Sequence, residues 1–327
     1  MRSLLTCAAA AVRRVEWQRM QLRPLGELAV SSYGLGTWTW GHETNEDAAR
    51  EQLRCFLDAG GTLVDTAAVY ADGDAERILG RLLTLVPRDA VVVSTKAGVT
   101  ANGVDTTAEA LLAQLDASLR RLGTDYVDLW QLHAWSDATP LLASVEALRV
   151  ARDSGRARAV GVCNYTPSQI DEAFAVAERI GTPISGVQLQ YSLLVRAAEA
   201  VMDRAREYGA GVLAWSPLAS GVLTGKYQRG VPSGTRGTDP RYSAFIAPFL
   251  SAPEVPVAIE ILDLVAGALG RSCTEVALAW ARDRPGVAGV LLGARDTTQL
   301  RTQLDSVDLD LPAEVADLLT SSVLPIG

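Results

Sequence analysis

Residues 91–132 read VVVSTKAGVTANGVDTTAEALLAQLDASLRRLGTDYVDLWQL. The stretch opens on an apolar run, Val91–Thr95, closes on another, Val127–Leu132, and carries a helical pattern between them. Leucines at 111, 112, 115, 119 and 122 recur at helical spacing and make one apolar stripe. The flanking runs are nearly continuous rather than alternating, as strands covered on both faces require. This is a strand–helix–strand unit.

The alternation extends in both directions. Further strands are expected at Gly34–Gly36, Thr62–Asp65, Ala159–Val162, Gly186–Gln190, Gly211–Ser216 and Gly289–Leu292. Helical patterns cover about Asn45–Ala59, Ala75–Leu83, Thr107–Leu122, Pro140–Asp153, Pro167–Ile180, Ala197–Tyr208, Thr274–Asp283 and Thr298–Ser306. Thr44 with Asp47, and Thr166 before Pro167, read as N-terminal caps. Eight strands, each followed by a helix, predict a (β/α)8 barrel. Two departures stand out. The Gly/Pro/Ser-rich connection Leu218–Val255 is too long for a plain loop, and extra helices are expected near Val257–Leu269 and Pro312–Leu319.

The chain has 327 residues, 48% hydrophobic and 21% charged, which suits a folded globular protein. Thirty basic against 38 acidic residues give a net charge of −8. No basic cluster offers a face to nucleic acid or an anionic membrane. Cys7, Cys55, Cys163 and Cys273 form no CxxC pair, and His42 and His133 are the only histidines, so no metal site is expected. No apolar run reaches the roughly 18 residues of a membrane span. A reducing, cytoplasmic setting is expected. Residues 1–19 (MRSLLTCAAAAVRRVEWQR), with Trp17, read as an extension, disordered or wrongly assigned to the protein, with a targeting signal as the alternative. The folded domain is expected over residues 20–327.

Function in such barrels gathers at the C-terminal ends of the strands. Reading that rim gives Asp65 and Tyr70, Lys96, His133, Asn164, Gln188 and Ser216. A phenol with a reference pKa of about 10 is a poor acid unless its anion is favoured. A lysine ammonium favours it by charge, and a buried aspartate keeps that lysine protonated. A histidine across the site can hold a carbonyl oxygen. Together these suit the reduction of a carbonyl.

The segments LVDTAAVYADGDAERILGRLL (63–83), VVVSTKAG (91–98), DLWQLHAW (128–135), GVCNY (161–165), VQLQYSLL (187–194) and LAWSPLASGVLTGKY (213–227) resemble those of the aldo-keto reductases. They are similar in particular to the branch of potassium-channel β-subunit-like and bacterial members. The resemblance runs from about Met20 to Val307. It implies a (β/α)8 barrel that uses NADPH, with NADH second, to reduce an aldehyde, ketone or keto-sugar. Tyr70 is then the proton donor, tuned by Asp65 and Lys96, and His133 orients the carbonyl. Asn164 and Gln188 would hold the nicotinamide carboxamide and Trp215 would stack on its ring. Thr37 and Trp38 would sit at the nicotinamide end. Ser216, Leu218 and Ser220 would meet the pyrophosphate, with Lys226 and Arg236 as charge partners. Arg295 would meet a ribose 2′-phosphate, with Gln299 and Gln303 on the adenine side. Trp38, Trp40 and Trp135 are expected to line the substrate pocket.

Two positions depart from the family pattern. Cys163 replaces a serine, and Thr302–Gln303 replace a Glu-Asn pair. Two rivals remain: a nucleotide-binding redox-sensing subunit with little turnover, and an aldolase or isomerase in which Lys96 forms a Schiff base. The substrate and the oligomeric state are not written in the sequence.

Overall fold

The computed structural model describes residues 20–228 and 230–326. The reading of residues 1–19, with Cys7 and Trp17, lies outside the described residues. In chain order the strands are β1 (Leu22–Leu25), β2 (Leu28–Ser31), β3 (Tyr33–Gly36), β4 (Leu63–Asp65), β5 (Val92–Ala97), β6 (Val99–Thr100), β7 (Gly103–Val104), β8 (Val127–Leu132), β9 (Ala157–Cys163), β10 (Ile184–Gln190), β11 (Gly211–Trp215) and β12 (Val287–Leu292). The helices are α1 (Glu46–Asp58), α2 (Asp74–Leu83), α3 (Ala108–Leu122), α4 (Leu141–Asp153), α5 (Pro167–Ile180), α6 (Glu199–Glu207), α7 (Ser243–Ser251), α8 (Glu254–Leu269), α9 (Cys273–Arg282), α10 (Thr297–Leu304) and α11 (Ala313–Ser322). Eight strands close a parallel barrel in the order β3-β4-β5-β8-β9-β10-β11-β12. The expected (β/α)8 barrel is present, and the ends of its elements move by no more than three residues.

Alternation along β5 shows how the barrel sorts its side chains. Ser94 and Lys96 turn inward to Asp65. Thr95 turns outward and donates to Glu76 of α2 at 2.6 Å. Glu76 is fully buried and also accepts from Arg121 of α3 at 2.6 Å. One carboxylate therefore ties two helices to the strand that carries Lys96.

Two hairpins and a helix escape the sequence reading. The β1–β2 hairpin packs Leu25 and Val30 against the barrel residues Leu63, Leu129, Leu213 and Leu291, a cluster separate from the main core. Its turn needs Gly26, whose φ is +58° and whose added Cβ would lie 2.5 Å from Ser185 Cβ. The second hairpin, β6–β7, follows β5 at the rim. Helix α7 lies in the long connection after β11, where Pro248 reads as a breaker.

One expected cap is corrected. Asn45, not Thr44, caps α1, accepting from Ala48 N at 3.0 Å. The Thr44 hydroxyl is already engaged with Thr39 Oγ1 and the Arg295 carbonyl. Thr166 caps α5 as expected, in a reciprocal pair with Gln169. Among the described residues no single helix is long and apolar enough to cross a membrane.

Helices α2 and α3 approach so closely that a Cβ on Gly80 would sit 2.4 Å from the Arg121 carbonyl oxygen. Glycine to alanine inside a helix ordinarily stabilises by about 1 kcal/mol. Here the contact reverses the sign: Gly80→Ala is expected to destabilise by roughly 1–3 kcal/mol, the scale of overpacking. Urea unfolding checks this, and an unchanged or higher midpoint contradicts it.

Candidate active site

The C-terminal ends of β4 and β5, with the turns that follow β4 and β8, bring four expected residues together. Lys96 Nζ donates to Asp65 Oδ2 at 2.6 Å, to the Thr66 carbonyl at 2.7 Å and to Tyr70 Oη at 3.2 Å. Three donors meet three acceptors, so the ammonium is fully satisfied. The His133 ring meets the Tyr70 ring edge-on, with centroids 6.0 Å apart. Asp65 also accepts from Ser94 Oγ at 2.9 Å and Gln188 Nε2 at 3.0 Å.

Burial and charge set the protonation states. Burial opposes the Lys96 ammonium, but the Asp65 charge and hydrogen bond outweigh it and hold its pKa above the ordinary lysine range. A lysine held as ammonium is no nucleophile, which counts against the Schiff-base reading. Burial raises the Tyr70 phenol; Lys96 pulls it down and Asp65 pushes it up, with a net rise. The free site therefore keeps a neutral phenol, not the anion. Burial, reinforced by the Lys96 charge, drops His133 to about 3. Its imidazole is neutral at any working pH, with one N–H to donate.

These groups open into a cavity of about 760 Å³. Asp65, Tyr70 and His133 line one part, and Lys96 lies behind them with 1% exposure. Asn164, Gln188, Trp215, Ser216, Leu218, Ser220, Lys226, Arg236, Arg295, Gln299 and Gln303 line the remainder, as does Trp38. The backbone after β9 and β11 is bent to present them: Asn164, Ser216 and Ser220 have φ of 61°, 54° and 58°. Such values are uncommon outside glycine and mark a constrained site.

Three expected residues do not line the cavity. Thr37 is fully buried and donates to the Asp65 carbonyl, fastening β3 to β4. Trp40 is fully buried as well, its indole N–H held by Gln52 Oε1 at 2.8 Å. Trp135 turns to Tyr165, with centroids 5.1 Å apart, and donates to Asp137. Other residues went unread. Gln131 donates to Ser94 Oγ at 2.9 Å, extending the polar layer under Asp65. Both stand two residues before a residue that was read, Lys96 or His133, so period-two alternation marks them. His42 and Phe245 also line the cavity.

The sequence matches the family model of the aldo/keto reductase family over residues 33–323. The chain belongs to the aldo/keto reductase family. It is 33% identical to a probable voltage-gated potassium channel subunit beta of Arabidopsis thaliana, across 93% of this chain and 94% of that one. It is 32% identical to L-glyceraldehyde 3-phosphate reductase of Escherichia coli K12, across 89% and 88%. Identity to the aldo-keto reductase YhdN of Bacillus subtilis is 33%, across 84% of each.

An aldo/keto reductase is an NAD(P)H-dependent oxidoreductase, and the cavity suits an anionic nucleotide. Lys226, Arg236 and Arg295 crowd together there. Burial, then the charges of Arg236 and Arg295, lowers Lys226 to about 8. Burial likewise lowers Arg236. Uncompensated positive charge of this kind is relieved by phosphate oxygens.

The Lys226 shift fixes a sign. In the free protein Lys226 sheds its proton as pH rises through about 8, whereas a phosphate bound beside it would keep it protonated. Nucleotide affinity should therefore fall as pH rises past that value, by at most about tenfold per unit. Titrations of NADPH at several pH values check this, and Lys226→Met should flatten the curve. A wild-type affinity that does not change with pH would contradict it.

Proposed function

We propose that this protein uses NADPH to reduce the carbonyl of a small aldehyde, ketone or keto-sugar to an alcohol. The observation that carries the reading is Lys96 Nζ bridging Asp65 and Tyr70 at one end of a cavity whose other wall holds three cations. The reduced nicotinamide nucleotide, when bound, supplies the hydride. Tyr70 Oη gives its proton to the carbonyl oxygen, and the phenolate left behind faces the Lys96 ammonium. At an effective dielectric near 20, unit charges about 4 Å apart gain about 4 kcal/mol. Asp65 keeps that ammonium charged. Neutral His133 donates a hydrogen bond to the same oxygen and so orients it.

Asn164, Gln188 and Trp215 hold the nicotinamide end; Ser216, Leu218, Ser220, Lys226 and Arg236 hold the pyrophosphate. Arg295 meets the 2′-phosphate and favours NADPH over NADH, while Gln299 and Gln303 take the adenine side. Trp38 faces the substrate. Residues 20–327 act as one domain. The buried free thiols Cys55, Cys163 and Cys273 suit a reducing, cytoplasmic setting. The relative named as a channel subunit favours one other reading, a nucleotide-binding regulatory subunit with little turnover.

Tyr70→Phe separates the two. It keeps the ring, so folding and NADPH binding should survive while carbonyl reduction falls at least about a hundredfold. NADPH consumption across a carbonyl panel reads the activity, and fluorescence titration reads the binding. A Tyr70→Phe enzyme at near wild-type rate defeats the proposed chemistry. A wild type that binds NADPH tightly but turns over no carbonyl supports the regulatory reading.

A further inference from the structure

Asn164 and Gln188 stand on neighbouring strand ends, tied by the Asn164 N–H to the Gln188 carbonyl at 2.9 Å. Each side-chain amide can present either its oxygen or its nitrogen to the cavity, and their neighbours decide which. An indole N–H can only donate. The Asn164 atom 2.9 Å from Trp215 Nε1 is therefore Oδ1. A carbonyl can only accept, so the Asn164 atom 3.3 Å from the His133 oxygen is Nδ2. The Asp65 carboxylate, in its salt bridge with Lys96, can also only accept. Gln188 must turn Nε2 toward it, at 3.0 Å. Asn164 is left with an N–H to offer, and Gln188 with Oε1. One donor beside one acceptor is the complement of a primary carboxamide, whose oxygen accepts and whose NH2 donates.

We propose that Trp215 is a positioning residue that works through Asn164. Its indole N–H locks the Asn164 amide, as Asp65 locks that of Gln188. The locked pair then grips a carboxamide in one direction only. The inference rests on the reading of this cavity as a nicotinamide nucleotide site. It adds to that reading a polar role for Trp215 distinct from stacking. Without the indole N–H, only the longer 3.3 Å contact to the His133 carbonyl holds the Asn164 amide, and its orientation is less firmly set.

A double-mutant cycle on binding tests this, using calorimetry with two probes. NADP+ carries the carboxamide; 2′-phospho-ADP-ribose lacks the whole nicotinamide. Trp215→Phe keeps an aromatic face but no N–H. Asn164→Gly removes the amide and suits the positive φ at that position, so the loop should keep its shape. Trp215→Phe should weaken NADP+ by roughly five- to tenfold, the scale of a polar contact. It should leave 2′-phospho-ADP-ribose within about twofold. In the Asn164→Gly background the same change should cost less than about twofold more. Additive losses would mean that Trp215 acts by its ring alone, and they overturn the positioning role while leaving the nucleotide site intact. A wild-type protein that binds 2′-phospho-ADP-ribose as tightly as NADP+ also overturns it. A wild type that binds neither probe overturns the site and the inference together.

Discussion

An ammonium shut away from water costs several kcal/mol unless its charge is matched and its protons are used. Lys96 meets both conditions inside the barrel: Asp65 supplies the charge, and Asp65, Thr66 and Tyr70 supply three acceptors. Buried ion pairs of this kind are poor value as stabilisers, because well-packed apolar residues often serve as well. The gain lies in protonation. With Asp65 beside it, Lys96 stays charged despite burial, and that charge reaches Tyr70 and His133.

Its consequences run outward in order. The Lys96 charge helps drop His133 to about 3, leaving a neutral imidazole that can donate. It pulls on the Tyr70 phenol, whose net rise keeps the proton in place until a reaction calls for it. Because the Asp65 carboxylate is salt-bridged to Lys96 and accepts, Gln188 must face it with nitrogen, and the polarity offered to a ligand follows. In the same cavity Lys226, Arg236 and Arg295 form the opposite arrangement, cations crowded without enough carboxylate. One charged group of the cavity is internally neutralised, and the other suits an anion.

Much of this is legible in the sequence. Strands buried on both faces leave nearly unbroken apolar runs, and their helices leave stripes, so the barrel follows from eight repeats of the unit that VVVSTKAG and DLWQL bracket. Asp65, Lys96 and His133 were legible because they are polar residues closing apolar runs. Trp40 and Trp135 were not, since an aromatic on a rim loop can turn inward or outward, and only partners such as Gln52 and Tyr165 decide. Ser94 and Gln131 lie within strands rather than at their ends, and only period-two alternation back from Lys96 and His133 marks them. The β1–β2 hairpin was hidden. Its strands LRPL and LAVS are short, and what they plug is formed by residues far along the chain.

The Asp65–Lys96 pair is tested most directly by Asp65→Asn, with carbonyl reduction followed against pH in a variant shown to be folded by its thermal melt. Asparagine keeps the shape and removes the charge. Lys96 then loses the largest influence that opposes burial and its pKa falls, while Tyr70 loses a neighbouring charge that raises it. The account predicts that the alkaline limb of kcat/KM moves to lower pH by at least about one unit. A limb that stays at the wild-type position would contradict the claim that Asp65 governs the protonation of this site.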